Sequence, residues 1–362
     1  MKEWNNRGMY IENLVMKRFI SISNSSGKNW VLPIENTSTA MEIYQPAAWR
    51  GKLIKLMLPK LIKYALIPIK YEIVQIESVI PAEIMNIIME RFPDDKLQVS
   101  YYGGTPGTHC KPTIQVFSGK QLLGYVKYAK DPNIAELFHN EEIILKRLHD
   151  CGIQNVPNCI TNHVLSNRTA VFVQDTKKKH PSKTLHKFTQ VHDLFLEQLY
   201  RMTKIRIMFQ TTDFAQTLLD LRERATTLNV FEQKLIQKAT DYIWKYFNNQ
   251  GLVEFGACHR DFTPWNTCIV NGELFVFDWE YAKLTYPNGM DMARFFVELC
   301  RQEKHLNNQT ILEKYKQRKH SLQILYCYLL DNIDIYLTRG QQSDQEIIAS
   351  SLELLRLSME DI

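Results

Sequence analysis

The stretch HRDFTPWN (residues 259–266) and the triplet Asp278–Trp279–Glu280 that follows it decide how the rest of this sequence is interpreted. Among their side chains are Asp261, Asn266 and Asp278, which can bind metals or protons. Only a short segment separates the last two, so a tight turn between them would fold one back toward the other. The order aspartate, asparagine, aspartate is therefore the starting point for both fold and chemistry.

The segment between Asn266 and Asp278 has the pattern of a β-hairpin. Thr267–Val270 and Leu274–Phe277 are apolar, strand-prone runs. They are joined through Asn271–Gly272, the pair that favours a type I′ turn. The sequence therefore predicts two short antiparallel strands that bring Asn266 and Asp278 close together.

Phosphoryl transfer from ATP needs this set of groups. One carboxylate orients and deprotonates the attacking hydroxyl, while an amide and a second carboxylate hold the magnesium ions that bridge the phosphates. This chemistry gives the first role to Asp261 and the metal-binding role to Asn266 and Asp278.

The same stretch resembles the catalytic loop and metal-binding aspartate of the protein-kinase-like superfamily. Trp279–Glu280 follows Asp278 where protein kinases have Phe–Gly, so the closer similarity is to the aminoglycoside phosphotransferase and choline kinase branch. The resemblance covers roughly residues 95–300. It implies an α+β, two-lobed protein-kinase-like fold with a five-stranded antiparallel N-lobe and a mainly helical C-lobe.

Three domains are expected on this basis. Residues 1–92 form an additional N-terminal segment, 93–174 the kinase-like N-lobe, and 175–362 the helical C-lobe with the catalytic loop. The C-lobe carries apolar residues at helical spacing in the runs Val191–Met208, Phe214–Thr227 and Phe231–Asn249.

A glycine-rich turn, Gly103–Gly107, follows the strand candidate Leu97–Tyr102. Glycine tolerates the tight backbone conformations that let N–H groups approach the phosphates of a nucleotide. Gly104, Thr105 and Gly107 are therefore candidate nucleotide-binding residues.

The resemblance also implies a phosphate-binding lysine. Lys127 lies late in the strand candidate 121–128, and the helix predicted over 133–150 carries Glu141. Kinase-like enzymes hold a strand lysine on the α- and β-phosphates with a helix glutamate, and Lys127 with Glu141 fits this layout. Glu142 is the alternative partner, because one residue rotates a side chain by roughly 100° to another face of the helix.

Further positions follow from the same resemblance. Gln174 begins the linker between the lobes, where backbone groups usually meet the adenine. Asp291 is expected to hydrogen-bond the backbone of the catalytic loop, with a simple helix N-cap as the alternative. The run 177–180 is interpreted as a solvated linker rather than a site for an anionic substrate. His259 is expected to pack within the loop, and Glu280 to face solvent, with a metal contact as its alternative.

Composition excludes several classes of protein. The net charge of +5 is mild, so the overall charge indicates no nucleic-acid partner. The seven cysteines include no CxxC pair, which is typical of reduced thiols in a cytoplasm. Cys258, His259 and Cys268 fit no common zinc module. Neither a secretory signal nor an apolar run of about 20 residues is found, so the sequence predicts a cytoplasmic protein.

The segment 49–70 lacks acidic residues and intersperses basic residues with leucine and isoleucine. The favoured interpretation is an amphipathic helix that packs on the rest of the protein with its lysines in solvent. The alternative is a helix that lies peripherally on the anionic inner face of a membrane. Pro59 is expected to kink this helix or to split it.

The lead hypothesis is a phosphotransferase, dependent on ATP (or GTP) and Mg²⁺, that acts on a hydroxyl of a small molecule. The acceptor would be a sugar, a glycolipid, a polysaccharide precursor or an aminoglycoside-like compound. The alternative is a catalytically silent kinase-like scaffold that binds a nucleotide and associates with a membrane or a partner protein. A protein kinase is a weaker third hypothesis, because the sequence has no activation segment with an Ala–Pro–Glu-like end.

Overall fold

The computed structural model describes residues 18–24, 27–46, 49–64, 72–107, 110–303, 305–318 and 321–360. The chain divides into two compact units. The first unit comprises residues 1–142, 155–183 and 268–275, and the second unit comprises residues 143–154, 184–267 and 276–362.

The first unit is built on an eight-stranded sheet in the order β3-β1-β2-β4-β5-β6-β8-β7. Its strands are β1 Phe19–Ser23, β2 Asn29–Pro33, β3 Glu72–Val74, β4 Leu97–Tyr102, β5 Thr113–Ser118, β6 Gln121–Ala129, β7 Cys159–Val164 and β8 Ala170–Asp175. Every neighbouring pair is antiparallel. The five strands predicted for the N-lobe are present as β4 to β8. The sequence also predicts strands at Arg18–Ser23 and Asn29–Pro33, which are β1 and β2. That these two strands and β3 extend the sheet of the N-lobe was not predicted.

Among the residues that the structure describes, the α-helices that accompany this sheet are α1 Thr37–Ala40, α2 Trp49–Lys63, α3 Ala82–Arg91 and α4 Pro132–Asp150. The amphipathic helix predicted over 49–70 is α2, a single helix with Pro59 inside it. Residues 65–70 of that prediction lie outside the described residues. The inward face of α2 packs against an apolar cluster through Ile54, Leu58 and Ile62.

The second unit is mainly helical. Its helices are α5 Gln190–Thr203, α6 Asp213–Arg224, α7 Val230–Asn248, α8 Met290–Glu298, α9 Asn308–Gln317, α10 Leu322–Arg339 and α11 Gln345–Ser358. A π-helical turn, Leu299–Glu303, continues α8. The predicted fold class, α+β with a sheet-based N-terminal part and a helical C-terminal part, is confirmed.

Five strands complete the fold: β9 Ile205–Met208, β10 Leu252–Cys258, β11 Thr267–Val270, β12 Glu273–Val276 and β13 Lys283–Tyr286. The helix predicted over Val191–Met208 is wrong at its end, because Ile205–Met208 is the strand β9 and pairs with β10. Ile205 and Ile207 are β-branched, and such side chains favour a strand when a partner strand is available.

The hairpin predicted after Asn266 is confirmed as β11 and β12. Asn271 and Gly272 between them both have positive φ angles, 53° and 88°, as a type I′ turn requires. Among the described residues, no helix is long and apolar enough to cross a membrane.

Candidate active site

Lys127 and Glu141 form a buried ion pair in the first unit. Lys127 lies on β6, and its Nζ atom is 2.9 Å from Oε2 and 3.2 Å from Oε1 of Glu141. The side chain of Glu141 is fully buried, and that of Lys127 is 7% exposed. Glu142 instead accepts a hydrogen bond from Asn162 at 2.9 Å and is 40% exposed. The lysine thus pairs with Glu141 rather than with its neighbour, because Glu142 points to another face of α4.

The turn between β4 and β5 requires glycine at one position. Gly104 has a φ of 85°, which side chains with a Cβ rarely adopt. A Cβ atom on Gly104 would also lie 3.0 Å from the backbone oxygen of Lys111. Gly107 has a φ of 146°, and the hydroxyl of Thr105 lies 3.0 Å from that of Tyr102. The backbone conformation of the turn is therefore fixed by its glycines and by the contact between Thr105 and Tyr102.

The N-terminal segment supports this turn. The N–H group of Gly103 donates to the carbonyl of Asn29 on β2 at 3.0 Å. The ring of Trp30, also on β2, stacks on Tyr102 at 5.3 Å between centroids and 16° between planes. The N-terminal segment is thus in contact with the candidate phosphate-binding turn.

Gln174 lies near the end of β8, and it is 3% exposed. Its backbone pairs with Tyr125 on β6. Its side-chain oxygen Oε1 is buried and has no hydrogen-bond partner in the part of the chain that the structure describes. The linker that was predicted to start at Gln174 therefore begins within strand β8.

The run 177–180 is not a simple solvated linker, which corrects that prediction. Lys178 is 4% exposed, and its Nζ atom donates to the backbone oxygen of Glu42 at 3.2 Å. His180 Nδ1 lies 2.9 Å from Oε1 of Glu42, and the Ser182 N–H group donates to the same oxygen at 3.1 Å. Burial works to raise the pKa of Glu42, yet the charges of Lys178 and Lys55 and the hydrogen bonds from Ser182 hold it below its ordinary value. The run departs from the prediction because Glu42, distant in sequence, provides a buried counter-ion.

In the second unit, the catalytic loop follows β10 and is fixed by Asp291. The carboxylate of Asp291 accepts hydrogen bonds from the backbone N–H groups of His259 at 2.8 Å and Arg260 at 3.0 Å. This is the contact expected from the resemblance. It holds Arg260 at a φ of 63°, an uncommon conformation that persists only where surrounding contacts determine it.

Asp261 and Asn266 are brought together at the exit of this loop. The Nδ2 atom of Asn266 donates to Oδ2 of Asp261 at 2.8 Å and to its backbone oxygen at 2.9 Å. Arg294 on α8 approaches the other carboxylate oxygen, with Nη1 at 3.7 Å from Oδ1. The Asp261 side chain is 32% exposed, so a ligand can reach it.

The surroundings of Asp261 shift its titration. Burial raises the pKa of Asp261 to about 7. The negative charges of Asp278 and Glu298 act in the same direction. The charge of Arg294 and the hydrogen bond from Asn266 oppose them. The carboxylate can therefore accept a proton near neutral pH.

Asp278 follows the hairpin in a strained conformation, with a φ of 72°. The Phe277 N–H group next to it donates to the backbone oxygen of Asn266 at 3.1 Å, so the hairpin fixes Asp278 beside the loop. Residues held in sparsely populated backbone regions are common at active sites. Glu280 is 4% exposed, so its predicted solvent-facing position is wrong. The burial of Glu280 could not be predicted from the residue type alone. It follows from the position of its neighbour Trp279, which is fully buried.

His259 packs within the loop, as predicted. It is fully buried, and its Nδ1 atom accepts the N–H group of Asp261 at 3.1 Å. Its Nε2 atom therefore carries the proton, which it donates to the backbone oxygen of Phe277 at 3.1 Å. Burial lowers the pKa of His259, which keeps the ring neutral. The histidine thus joins the loop to the hairpin. Phe262 in the same loop is fully buried as well.

Arg260, to which the sequence assigned no role, forms a buried ion pair with Asp331 on α10. Its Nε and Nη2 atoms lie 2.8 Å and 2.7 Å from Oδ1 of Asp331. Tyr286 also donates to this oxygen at 3.1 Å. The available sequence signal was a polar group, Asp331, Asn332 and Asp334, within a helical run of mainly apolar residues, since α10 buries all of Leu325–Ile335.

Known proteins resemble this chain in part of its sequence and in its fold. The sequence model of the phosphotransferase enzyme family matches residues 126–303. No curated protein matches the chain. The solved structure of a thermostable variant of aminoglycoside phosphotransferase APH(4)-Ia, in ternary complex with AMP-PNP and hygromycin B, is similar at 13% identity and a TM-score of 0.54, covering 78% of this chain and 100% of that chain. Its apo form is similar at 13% identity and a TM-score of 0.53, covering 76% and 99%.

The GDP complex of wild-type aminoglycoside 2'-phosphotransferase-IIIa is similar at 16% identity and a TM-score of 0.50, covering 76% of this chain and 97% of that chain. At these identities the structural similarity concerns the fold alone. It agrees with the kinase-like fold expected from the motifs.

Proposed function

We propose that this chain, whose residues 126–303 match the sequence model of the phosphotransferase enzyme family, is a small-molecule kinase that transfers the γ-phosphoryl group of ATP to a hydroxyl of a small molecule. The observation that carries the proposal is the hydrogen-bonded pair of Asp261 and Asn266 in a loop anchored by Asp291. The structurally similar APH(4)-Ia variant was solved with AMP-PNP and hygromycin B, and the 2'-phosphotransferase-IIIa with GDP. These ligands support a nucleotide donor, ATP or GTP, and a hydroxylated acceptor.

In this proposal Asp261 orients the acceptor hydroxyl and takes up its proton. Positioning and charge neutralisation supply most of the rate in phosphoryl transfer, and the hydrogen bonds from Asn266 fix the carboxylate for that task. Asn266 and Asp278 would bind Mg²⁺, which prefers carboxylate and amide oxygens. The donor set fits, because Asn266 uses its nitrogen toward Asp261 and so keeps its amide oxygen for a cation. The ion, when bound, would neutralise charge on the phosphates.

The nucleotide-binding roles belong to the first unit. Lys127, held by Glu141, would bind the α- and β-phosphates. The turn Gly104–Gly107 would cover the phosphates with its backbone N–H groups. Gln174, whose Oε1 atom has no partner among the described residues, would lie at the adenine end.

Nucleotide binding tests this function directly. Wild-type protein should be stabilised by about 2.7 kcal/mol when MgATP is at 100 times its Kd, measured as a rise in Tm. Asp278→Asn should lose the magnesium-dependent part of this rise, because asparagine tolerates the positive φ but lacks the charge that binds the ion. Glu313→Gln, an exposed change on α9, should behave as wild type.

If neither ATP nor GTP raises the Tm of the wild type in the presence of magnesium, the proposed function is wrong. If the nucleotide binds but no phosphate is transferred to any sugar or amino-sugar acceptor, the silent scaffold is the better description.

We further propose a peripheral contact between α2 and an anionic membrane. Leu53, Leu56 and Met57 on its outward face are 51%, 63% and 40% exposed. Lys52, Lys60 and Lys63 are also exposed, and α2 contains no acidic residue. Lys52, Lys60 and Lys63 lie in solvent, as the favoured interpretation expects, whereas Lys55 is half-buried and lies 3.8 Å from Glu42. The exposed apolar side chains of the outer face are not explained by that interpretation. Apolar side chains flanked by lysines are typical of helices that lie in the headgroup region of a membrane.

Co-sedimentation with lipid vesicles measures this contact. The triple change Leu53→Gln, Leu56→Gln and Met57→Gln should weaken binding to phosphatidylserine-containing vesicles by at least about tenfold, because each residue loses its burial in the lipid interface. A matched control changes Val230 and Phe231, which are 66% and 64% exposed on the second unit, to glutamine and should bind as wild type. Equal binding to neutral and anionic vesicles, or none to either, would refute the contact.

A further inference from the structure

A cavity of about 200 Å³ lies beside Asp261 within the second unit. Aromatic rings form part of its wall, contributed by Trp265, Tyr281 and Tyr336. Arg294 and Arg339 also line it. Aromatic faces suit the apolar side of a sugar ring, and the guanidinium groups of Arg294 and Arg339 add positive charge to the wall.

Arg294 is the unusual member of this wall. It lies on α8 and is 3% exposed. Its nearest carboxylates are Asp261 at 3.7 Å and Asp331 at 3.8 Å, both beyond hydrogen-bond distance. Its Nη2 atom is buried and finds no hydrogen-bond acceptor among the described residues. Since a guanidinium carries five N–H donors, this side chain retains donor capacity that the protein does not use.

The acidic groups around the cavity are already occupied by other donors. Asp331 receives Arg260 at 2.7 Å and Tyr286 at 3.1 Å. Glu298, which also lines the cavity, accepts hydrogen bonds from Tyr328 at 3.0 Å and Gln302 at 3.0 Å.

Two further ion pairs neutralise charged side chains of the cavity wall. Arg301 lies 3.6 Å from Glu298 and offsets its negative charge. Arg339 lies 3.2 Å from Asp344, and its side chain is 23% exposed. Arg294 is therefore the buried cation of this wall that has no hydrogen-bonded carboxylate of its own among the described residues.

We propose that this cavity binds the acceptor through an anionic group, a phosphate or a carboxylate carried by a hydroxylated ring, with Arg294 as its principal ligand. This inference rests on the proposed function and specifies its substrate class. The planar fork of an arginine matches two oxygens of a phosphate or carboxylate. Arg339 adds a second positive charge to the cavity wall. An anion held there would place a neighbouring hydroxyl of the ring near Asp261, because Arg294 Nη1 is only 3.7 Å from that carboxylate.

The acceptor's charge is the quantity to test. Equilibrium binding to the full chain is measured at constant ionic strength for four related probes: glucose, glucuronate, glucose 6-phosphate and glucosamine. Mg²⁺ and AMP-PNP are added at saturating concentrations, so that the probes do not bind at the nucleotide site. We expect glucuronate, glucose 6-phosphate or both to bind at least about tenfold more tightly than glucose, the effect of one charge-assisted hydrogen bond. Whichever of the two binds more tightly identifies the anion.

Substitutions then assign the preference to a residue. Arg294→Gln should reduce the ratio between the anionic probe and glucose to about one, and Arg294→Lys should retain part of it, because lysine keeps the charge but not the fork. Arg222→Gln, at an arginine that is 35% exposed elsewhere in the second unit, should leave the ratio unchanged.

The inference is overturned if glucosamine binds as tightly as either anion, if glucose does so, or if Arg294→Gln keeps the preference. If Arg294→Gln does not fold, the probe series on the wild type decides alone. Binding is measured without turnover, so an anion preference without phosphate transfer contradicts only the proposed function. Transfer to neutral or cationic acceptors without an anion preference contradicts only this inference.

Discussion

Replacement of Asp261 by asparagine is expected to lower kcat by about 10²- to 10⁴-fold, the usual contribution of a general base. Asparagine keeps the shape of the side chain but cannot take up the proton of the acceptor hydroxyl. The Kd for MgATP should change little, because Asn266 and Asp278 are proposed to hold the metal. Steady-state formation of the phosphorylated product measures kcat, and thermal shift measures nucleotide binding.

The pH dependence of kcat is a second test of the general-base role of Asp261. Burial raises the pKa of Asp261 to about 7, and only its ionised form accepts a proton, so kcat should fall as the pH drops through the pKa. A cation bound at Asp278 adds positive charge and lowers this pKa, so the acid limb of the wild-type profile should lie at or below pH 7. Asp261→Asn should lack this limb, whereas Asp220→Asn, an exposed change on α6, should retain it. A variant at Asp261 within about fivefold of wild type would exclude the general-base role.

Asp331→Ala is expected to cost about 3–5 kcal/mol of unfolding free energy, the usual effect of leaving one partner of a buried ion pair alone. Asp331 is 1% exposed and pairs with Arg260 at 2.7 Å. Its removal would leave the guanidinium of Arg260 buried without that carboxylate, and Tyr286 would lose a hydrogen-bond acceptor. Urea unfolding of the full chain measures the change.

Asp241→Ala is the matched control for this loss. Asp241 forms an ion pair with Arg222 that is largely exposed, and exposed pairs contribute about 0–1 kcal/mol. The double change Arg260→Met with Asp331→Leu should recover much of the stability, because it removes both buried charges together. A loss below about 1 kcal/mol in Asp331→Ala would mean that the pair is not a major support of the loop.

The sequence predicted those parts of the site that depend on local pattern. Asn271–Gly272 specifies the hairpin because both positions need positive φ. The spacing of Asp261 and Asn266 in one loop is likewise a local property. The antiparallel strands β4 to β8 follow from alternating and apolar runs separated by turn residues.

The sequence did not predict contacts between distant segments. Arg260 and Asp331 are 71 positions apart, and no local pattern links them. Lys178 lies in a basic run that is typical of a solvated linker. It is nevertheless buried, because it donates a hydrogen bond to Glu42, 136 positions away. The strand at Ile205–Met208 continued an apparent helical periodicity, and only its pairing with β10 distinguishes it. In these segments the local structure depends on tertiary partners, which cannot be identified from the neighbouring residues in the sequence.

The N-terminal strands also have a consequence for self-association. A strand at the border of a sheet presents unpaired N–H and C=O groups that another chain can use as a template. β4 would be such a border if the sheet ended with the kinase-like strands, but β2 pairs with it through Trp30 and Val31. In the part of the chain that the structure describes, the border strand on this side is β3, with three described residues. Very short border strands are a common protection against aggregation, so the segment shields a six-residue strand from intermolecular pairing.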